Sequence, residues 1–389
     1  MIKILHTADL HLGKVFHDHS LLEDQAAMLE DLARLLDDGS FAALVIAGDV
    51  YDRSIPPPEA VELFGSFLAE TKKRSPSTEI IVIPGNHDSA SRLGFGRELF
   101  ARLGIRFGVS AEECAKPLIV ERGGERCAFF LLPFLSPGTL SAEEAARRMK
   151  KARQEAAGAA YSVLAAHLFA TGGEEAGSER VFLGNAERVN ISLFKGFDYI
   201  ALGHLHRCQH IGKKAWYSGS PLAYSFGEAA PTGAPTGAPK GGQEKFFLSV
   251  ELKEGGAKVD KIPINPRRKL ASISGPFARF SGDISADSEL LAAKDDYLEI
   301  RLSDRGITEN ARDILRKRFP RLLSIRQDEA LTGLSSAARA SRPDRMDAPN
   351  RSIETDFKDF LLSLYGEADN EELDLFKSLL AESEAEELL

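Results

Sequence analysis

At 389 residues the chain exceeds one ordinary core of ~100 to 200 residues, so two or three domains are expected. Apolar residues make up 43% and charged residues 28%, which excludes collagenous, wholly disordered and membrane-spanning classes. The formal net charge of −9, taken alone, argues against a nucleic-acid binder, because phosphate backbones are held by Lys and Arg.

The first two hundred residues repeat one theme: a short aliphatic run that ends in a polar cluster, then a helical stretch. The runs predict strands at 2–5, 43–47, 80–83, 129–132, 163–166 and 199–202. Leu22, Ala26, Leu29, Leu32 and Leu36 recur at helical spacing and predict a helix over 21–36. Further helices are expected from Pro58 to Lys73, near Arg92 to Leu103, and from Ser141-Ala-Glu-Glu144, which has capping-box spacing, to Ala156. Alternating strands and helices imply an α/β layered domain over 1–265 with its site at strand ends.

After His206 the pattern becomes β-rich, with strands at 215–218 and 246–252. Between them lies Pro231-Thr-Gly-Ala-Pro-Thr-Gly-Ala-Pro239, within a mobile Pro/Gly loop over 229–242. A smaller α/β unit over 270–332, with strands at 297–302 and 322–326 around a helix at 308–319, reads as a cap or specificity domain. Residues 335–352 read as a basic linker. Phe357, Phe360, Leu361 and Leu364, then Leu373, Phe376, Leu379 and Leu380, give two short amphipathic helices within 353–389. These either fold back on their own domain or dock on a partner helix.

Cys114, Cys127 and Cys208 lie far apart with no CxxC, so neither a disulfide scaffold nor a thiolate metal site is indicated. With no export signal or membrane span in the pattern, a cytoplasmic location is expected. The negative charge is local. Residues 350–389 carry twelve Asp or Glu against three Lys or Arg, which is the whole of the −9. Residues 312–351 hold ten Lys or Arg against five Asp or Glu, so a nucleic-acid-facing surface can still be basic.

The nine histidines carry the main clue to function, because five of them sit at predicted strand ends beside Asp, Asn or Gly. The clusters are Asp9-Leu-His11, Gly48-Asp49-Val-Tyr-Asp52, Gly85-Asn86-His87-Asp88, Ala166-His167 and Gly203-His204-Leu-His206. In an extended segment, Asp9 and His11 point the same way and can grip one ion, and His204 and His206 repeat the spacing. Oxygen and imidazole donors without thiolate suit Mn²⁺, Fe²⁺ or Zn²⁺, and their number exceeds what one ion uses. Two ions are implied. Such a pair binds a phosphate and makes hydroxide available at neutral pH, so phosphoester hydrolysis is the reaction the set serves best.

The five clusters, in this order and spacing, resemble the calcineurin-like metallophosphoesterase superfamily. His6-Thr-Ala-Asp-Leu-His-Leu-Gly13, Gly48-Asp49, Ser218-Gly-Ser-Pro-Leu222 and Ser225-Phe-Gly-Glu228 are similar, more narrowly, to its SbcD-type nucleases. The resemblance implies a layered β-sandwich flanked by helices, a small α/β cap and a C-terminal helical docking element. It implies one metal held by Asp9, His11, Asp49 and His206, and a second by Asp49, Asn86, His167 and His204. Mn²⁺ is the expected metal, and Asp49 is the bridge. His87 then donates a proton to the leaving oxygen, as a positioned imidazole can. Asp52 orients His87, and Asp88 anchors the turn.

His6 is expected beneath the site, His210 exposed on a strand, and His17 and His19 in the loop after the first cluster. None of these four, nor Cys208, is placed among the ligands. By the same resemblance the chain is a double-strand exonuclease of 3′-5′ polarity and a single-strand or hairpin endonuclease. Its implied partners are double-stranded DNA ends and hairpins, an SbcC-type ATPase coiled coil, and a second copy through the helices at 58–73 and 92–103. The rival reading is a stand-alone phosphatase or phosphodiesterase on the same ligands.

Overall fold

The structure, a computed structural model, describes residues 2–136, 138–156, 158–175, 188–228, 230–231, 244–304, 310–327, 357–358, 361 and 373–377. Two six-stranded sheets stack face to face. The first runs, in spatial order, Gly256–Pro263, Phe246–Lys253, Lys3–Thr7, Ala43–Ala47, Glu79–Ile83 and Ile105–Phe107. The second runs Gln209–Ile211, Ala215–Tyr217, Tyr199–Gly203, Tyr161–His167, Glu125–Leu132 and Leu118–Arg122. The central strands of both sheets are parallel, as the expected alternation of strands and helices requires.

The aliphatic runs are continuous because both faces of each sheet are covered. Val45, Ile81, Ile83, Phe129, Val163, Ala165 and Tyr199 fill the layer between the sheets. Their alternates Leu44, Ile46, Ile80 and Val82 face outward onto helices Leu22–Leu35 and Pro58–Arg74. On the far side, Phe130, Leu164, Ala166 and Leu202 pack with Ala145 and Met149 of helix Ala142–Glu155. Each fully buried side chain of this size contributes ~1.5–3 kcal/mol, so four layers over these runs make an ample core. The inner layer also holds a polar link: His6 Nδ1 lies 2.8 Å from the Tyr199 hydroxyl.

Several elements depart from the expectations. The segment after the first cluster is not a loop. Val15–Phe16 and His19–Ser20 form a hairpin whose turn residues, His17 and Asp18, both have positive φ. The capping box is half made: Ser141 Oγ accepts the Glu144 N–H, but the Glu144 carboxylate pairs with Arg147 and Arg148 instead of turning back. The helix expected near 92–103 is two short pieces, Ala90–Leu93 and Arg97–Ala101, broken by left-handed Gly96. The strands Leu118–Arg122 and Gly256–Pro263 are edge strands of mixed polarity, so neither shows as an aliphatic run.

The cap carries a parallel four-stranded sheet in the order Ala230–Pro231, Leu270–Gly275, Tyr297–Leu302, Leu322–Gln327. Phe280, Leu290 and Leu315 cover it from its helices, with Phe319 from the turn that follows the last of them. Two residues of the predicted Pro/Gly loop therefore form a strand, and 232–243 lie outside the described residues. The cap is not detached from the first domain. Met1–Asp328 is one compact unit, and Leu270, Tyr297 and Leu323 share a core with the first sheet's outer helices. The helix expected over 308–319 spans Ala311–Arg316, with 305–309 outside the described residues.

Glu329–Leu389 is a second unit. Of it, 357–358, 361 and 373–377 are described, all helical, and the Phe357 and Phe376 rings stack at 4.0 Å. The linker at 335–352, with Phe360, Leu364, Leu379 and Leu380, lies outside the described residues. All three cysteines are free, and among the described residues no helix is long and apolar enough to cross a membrane.

Candidate metal centre

The parallel strands of both sheets end at one place, and the polar clusters follow them there. Left-handed backbone recurs at this rim: φ is 56° at Asp9, 45° at His11, 47° at Asp49 and 109° at His204. For non-glycine residues each such conformation costs on the order of 1–3 kcal/mol, so the surroundings must impose it. Two adjacent loops impose it on each other. The Asp9 N–H donates to Gly48 O (3.0 Å), and the His11 N–H to Asp49 O (3.0 Å). Asp9 Oδ1 accepts the His204 N–H (2.9 Å), and Asp49 Oδ1 the His87 N–H (2.9 Å). Asp49 thus ties the loops together through Oδ1 and leaves Oδ2 to face the centre, whereas both Asp9 oxygens lie within reach of the His204 N–H, at 2.9 and 3.2 Å.

Asp9 and His11 therefore converge for a different reason from the one expected. They are not alternate residues of an extended segment. Each is turned inward by a left-handed backbone and a bond to the neighbouring loop. His204 and His206 do not share a target either: His206 faces His11, and His204 faces Asn86.

The seven side chains make two adjoining groups. In one, His11 Nε2 and His206 Nε2 face each other at 3.1 Å, and ligand atoms of Asp9, His11 and His206 lie within 4.8 Å of one another. In the other, Asn86 Oδ1 sits 3.0 Å from His167 Nε2 and 3.0 Å from His204 Nδ1. Asp49 Oδ2 is 3.7 Å from His11 Nε2 and 3.5 Å from His167 Nε2, which is a bridging position. Two glycines make room: a Cβ on Gly85 would fall on the Asp49 carboxylate, and one on Gly48, whose φ is +95°, would fall on the His167 ring.

Burial sets the charge. It pushes His11 down to about 4 and His204 down to about 3, so both rings are neutral and offer lone pairs. Burial also raises Asp9 to about 7, with the neighbouring Asp49 charge adding to the effect. At His167, burial opposes the charge but is outweighed by the Asp49 and Asp9 carboxylates, which raise it to about 9. Asp49 in turn stays below the ordinary carboxylate range: its burial is overcome by His167 and then His11. Two buried carboxylates, an amide oxygen and four imidazoles, with no Lys or Arg among them, are a donor set that fits divalent cations.

His167 Nδ1 donates to Ala47 O (2.9 Å), which turns Nε2 inward toward Asn86 and Asp49. His87 stands at the open side, half-buried, with its ring edge-on to His11 at 4.7 Å. Its Nδ1 must carry the hydrogen, because its partner at 2.9 Å is the main-chain carbonyl of Asp52, which only accepts. Asp52 thus orients His87 through its backbone. Its carboxylate does something else, accepting from Lys14 Nζ (2.7 Å) and lying 3.4 Å from His11 Nδ1. Asp88 takes the N–H groups of Val50, Tyr51 and Gly85, which fixes the turn that carries Asn86 and His87. His6 is fully buried beneath this rim, and His210 is exposed on Gln209–Ile211.

The structure adds residues that sequence reasoning passed over. Glu228 is fully buried with its Oε1 3.7 Å from His206 Nδ1, and its Oε2 accepts from Lys245 Nζ at 2.5 Å. Lys245 also donates to Ser220 Oγ (2.8 Å) and His206 O (3.1 Å). Gln25 donates to His11 O (2.7 Å) and accepts the Gly13 N–H (2.9 Å), holding the first ligand loop. Tyr224 donates its hydroxyl to Leu10 O and packs edge-on to His11. In sequence the Ser225-Phe-Gly-Glu228 segment has no assigned role, and its signal is a carboxylate that closes a turn beside the ligand strands.

Residues 2–208 match the family described as calcineurin-like phosphoesterase. The chain belongs to that family. Residues 266–363 match the SbcD_C family, described as type 5 capsule protein repressor C-terminal domain, so the two matches together mark a chain of the SbcD type. Among solved structures, the chain is similar to TT1561 of Thermus thermophilus, at 12% identity over 67% of this chain and 98% of that one, with a TM-score of 0.38.

Proposed function

We propose that this chain is a metal-dependent DNA nuclease working as the hydrolytic subunit beside an SbcC-type ATPase. The observation that carries the reading is the convergence of seven donors and His87 on the rim of a calcineurin-like phosphoesterase domain that continues into an SbcD-type C-terminal domain. Asp9, His11, Asp49 and His206 would hold one divalent ion and Asp49, Asn86, His167 and His204 a second, Mn²⁺ in this reading, and the bound pair would supply positive charge to the phosphodiester and acidify a water. Asp49 orients both groups of ligands from one carboxylate. His87, its Nδ1–H fixed on Asp52 O, presents Nε2 toward the open side and delivers the proton there to the departing sugar oxygen.

The substrates in this reading are double-stranded DNA ends, cut 3′ to 5′, and hairpins or single strands, cut internally, during end processing, repair and recombination in the cytoplasm. The helical segments within 353–389 dock on the ATPase coiled coil, a role supported by the SbcD_C match that reaches into them. Two copies pair through Pro58–Arg74 and the pieces between Ala90 and Leu103. Support comes from Phe95, Leu99 and Leu103, which are 84%, 69% and 60% exposed on one short stretch.

The test is hydrolysis of an end-labelled duplex and of bis(p-nitrophenyl) phosphate, with Mn²⁺ and with EDTA, with and without the ATPase subunit. Metal-dependent shortening of the duplex is expected. Turnover of the small ester with no attack on DNA would overturn the nuclease reading in favour of a stand-alone phosphodiesterase.

A further inference from the structure

Asp24 lies in the first turn of helix Leu22–Leu35, on the stretch of chain that leaves the first ligand loop, and it is only 3% exposed. A carboxylate at this position could be satisfied by the helix N-terminus, yet its bonds run to the cap. Asp24 Oδ2 accepts from the Tyr297 hydroxyl (2.7 Å) and from Arg268 Nη1 (2.9 Å). Arg268 Nη2 reaches the preceding Glu23 (2.8 Å), so one guanidinium clasps two successive helix residues. Tyr297 opens a central strand of the cap sheet, and Arg268 stands just before another. The same ring of Tyr297 contacts His19 of the hairpin at 6.4 Å.

The next residue, Gln25, is fully buried and bonds to the main chain of His11 and Gly13. One helical turn therefore grips the cap with Asp24 and the metal-ligand loop with Gln25. Elsewhere the cap meets the first domain through apolar side chains such as Leu270 and Leu323, which constrain direction poorly. Charge-assisted bonds to a buried carboxylate do constrain it.

We propose that Asp24 is a positioning residue that sets the cap at a fixed place relative to the metal centre, and so determines how well long DNA, but not a small diester, is handled. The proposal rests on the nuclease reading for its substrate, and its structural half is tested separately. Asp24→Asn keeps shape and removes the charge, and Tyr297→Phe removes one bond without disturbing packing. With Mn²⁺ and full-length protein, each variant is expected to lose tenfold or more in kcat/KM on duplex DNA, chiefly through KM. Each should keep bis(p-nitrophenyl) phosphate turnover within twofold, and the double variant should lose no more than the worse single one.

Hydrogen exchange should rise in Tyr297–Leu302 and in the Val15–Ser20 hairpin, and stay unchanged in Ala43–Ala47. Equal losses on both substrates, or unaltered exchange at the cap, would overturn the proposal. If the unaltered protein leaves duplex DNA intact, the nuclease reading falls, and the exchange experiment still decides the anchoring role of Asp24.

Discussion

Replacing Glu228 by Gln separates two jobs done by one carboxylate. Glu228 is fully buried and Lys245 is 7% exposed, so the pair is shielded from solvent. Breaking a buried pair by neutralising one partner costs ~3–5 kcal/mol, because the remaining charge is left uncompensated. Gln keeps the shape and an oxygen for Lys245, which also retains Ser220 Oγ and His206 O, so a loss near the lower end, about 3 kcal/mol, is expected in urea unfolding at pH 7. The second job concerns His206, whose Nδ1 side faces Glu228 and whose Nε2 faces the metal centre. Loss of such a supporting carboxylate weakens metal binding ~10- to 100-fold, equal to about 1.4–2.8 kcal/mol.

Adding Lys245→Met removes the orphaned ammonium, so stability should largely return while Mn²⁺ affinity by calorimetry stays weak. The pH dependence has a definite sign. Glu228 is buried, but Lys245 and then His206 outweigh that and hold its pKa below the ordinary 4.5. Its contribution is therefore present above pH 4.5 and fades as the pH falls below it, so wild type and Glu228→Gln should converge in acid. If the double variant recovers both stability and metal affinity, or if the single variant loses neither, the two-job account is wrong.

The other expectations follow from the same geometry. His87→Ala should lower turnover ~10²- to 10⁴-fold with Mn²⁺ content unchanged by elemental analysis, since a proton donor goes and no ligand does. Asp49→Ala should lose bound metal as well as activity, because its carboxylate serves both groups of ligands. Asp52→Ala leaves the main-chain acceptor of His87 in place, so its effect should appear in Mn²⁺ affinity through His11, with a smaller loss of turnover than His87→Ala gives. By light scattering at micromolar concentration the protein should be a dimer, and Leu99→Glu with Phe95→Glu should make it a monomer. A monomeric unaltered protein would end the pairing proposal.

The candidate ligands were legible in the sequence because their chemistry is local: an Asp, Asn or His at a strand end beside a small residue announces itself. The layered fold was legible for a similar reason, since strands covered on both faces become uninterrupted runs such as Ala43–Ala47. Cross-chain relations stayed hidden. Nothing near Asp52 says that its carbonyl will serve His87 while its carboxylate serves His11, because that division depends on how two loops lie side by side. Asp24 and Gln25 extend the buried face of their helix, which continues through Met28, Leu29 and Leu32, with polar side chains, and their burial becomes sensible only with the cap and the first ligand loop in place. The same holds for Glu228 and Lys245, seventeen residues apart with the Pro/Gly segment between them.

Gln25, Glu228, Lys245 and Asp52 share one property: each meets the backbone or a side chain of a candidate ligand loop, while Asp24 ties the helix that carries Gln25 to the cap. Four left-handed residues at the rim need such support, since on their own they would relax to ordinary backbone and carry the ligands apart. The sequence thus displays the candidate metal-binding groups, and the fold supplies the strained frame that brings them together. Substitutions in that frame should therefore change metal affinity and substrate preference before they change the chemistry at His87.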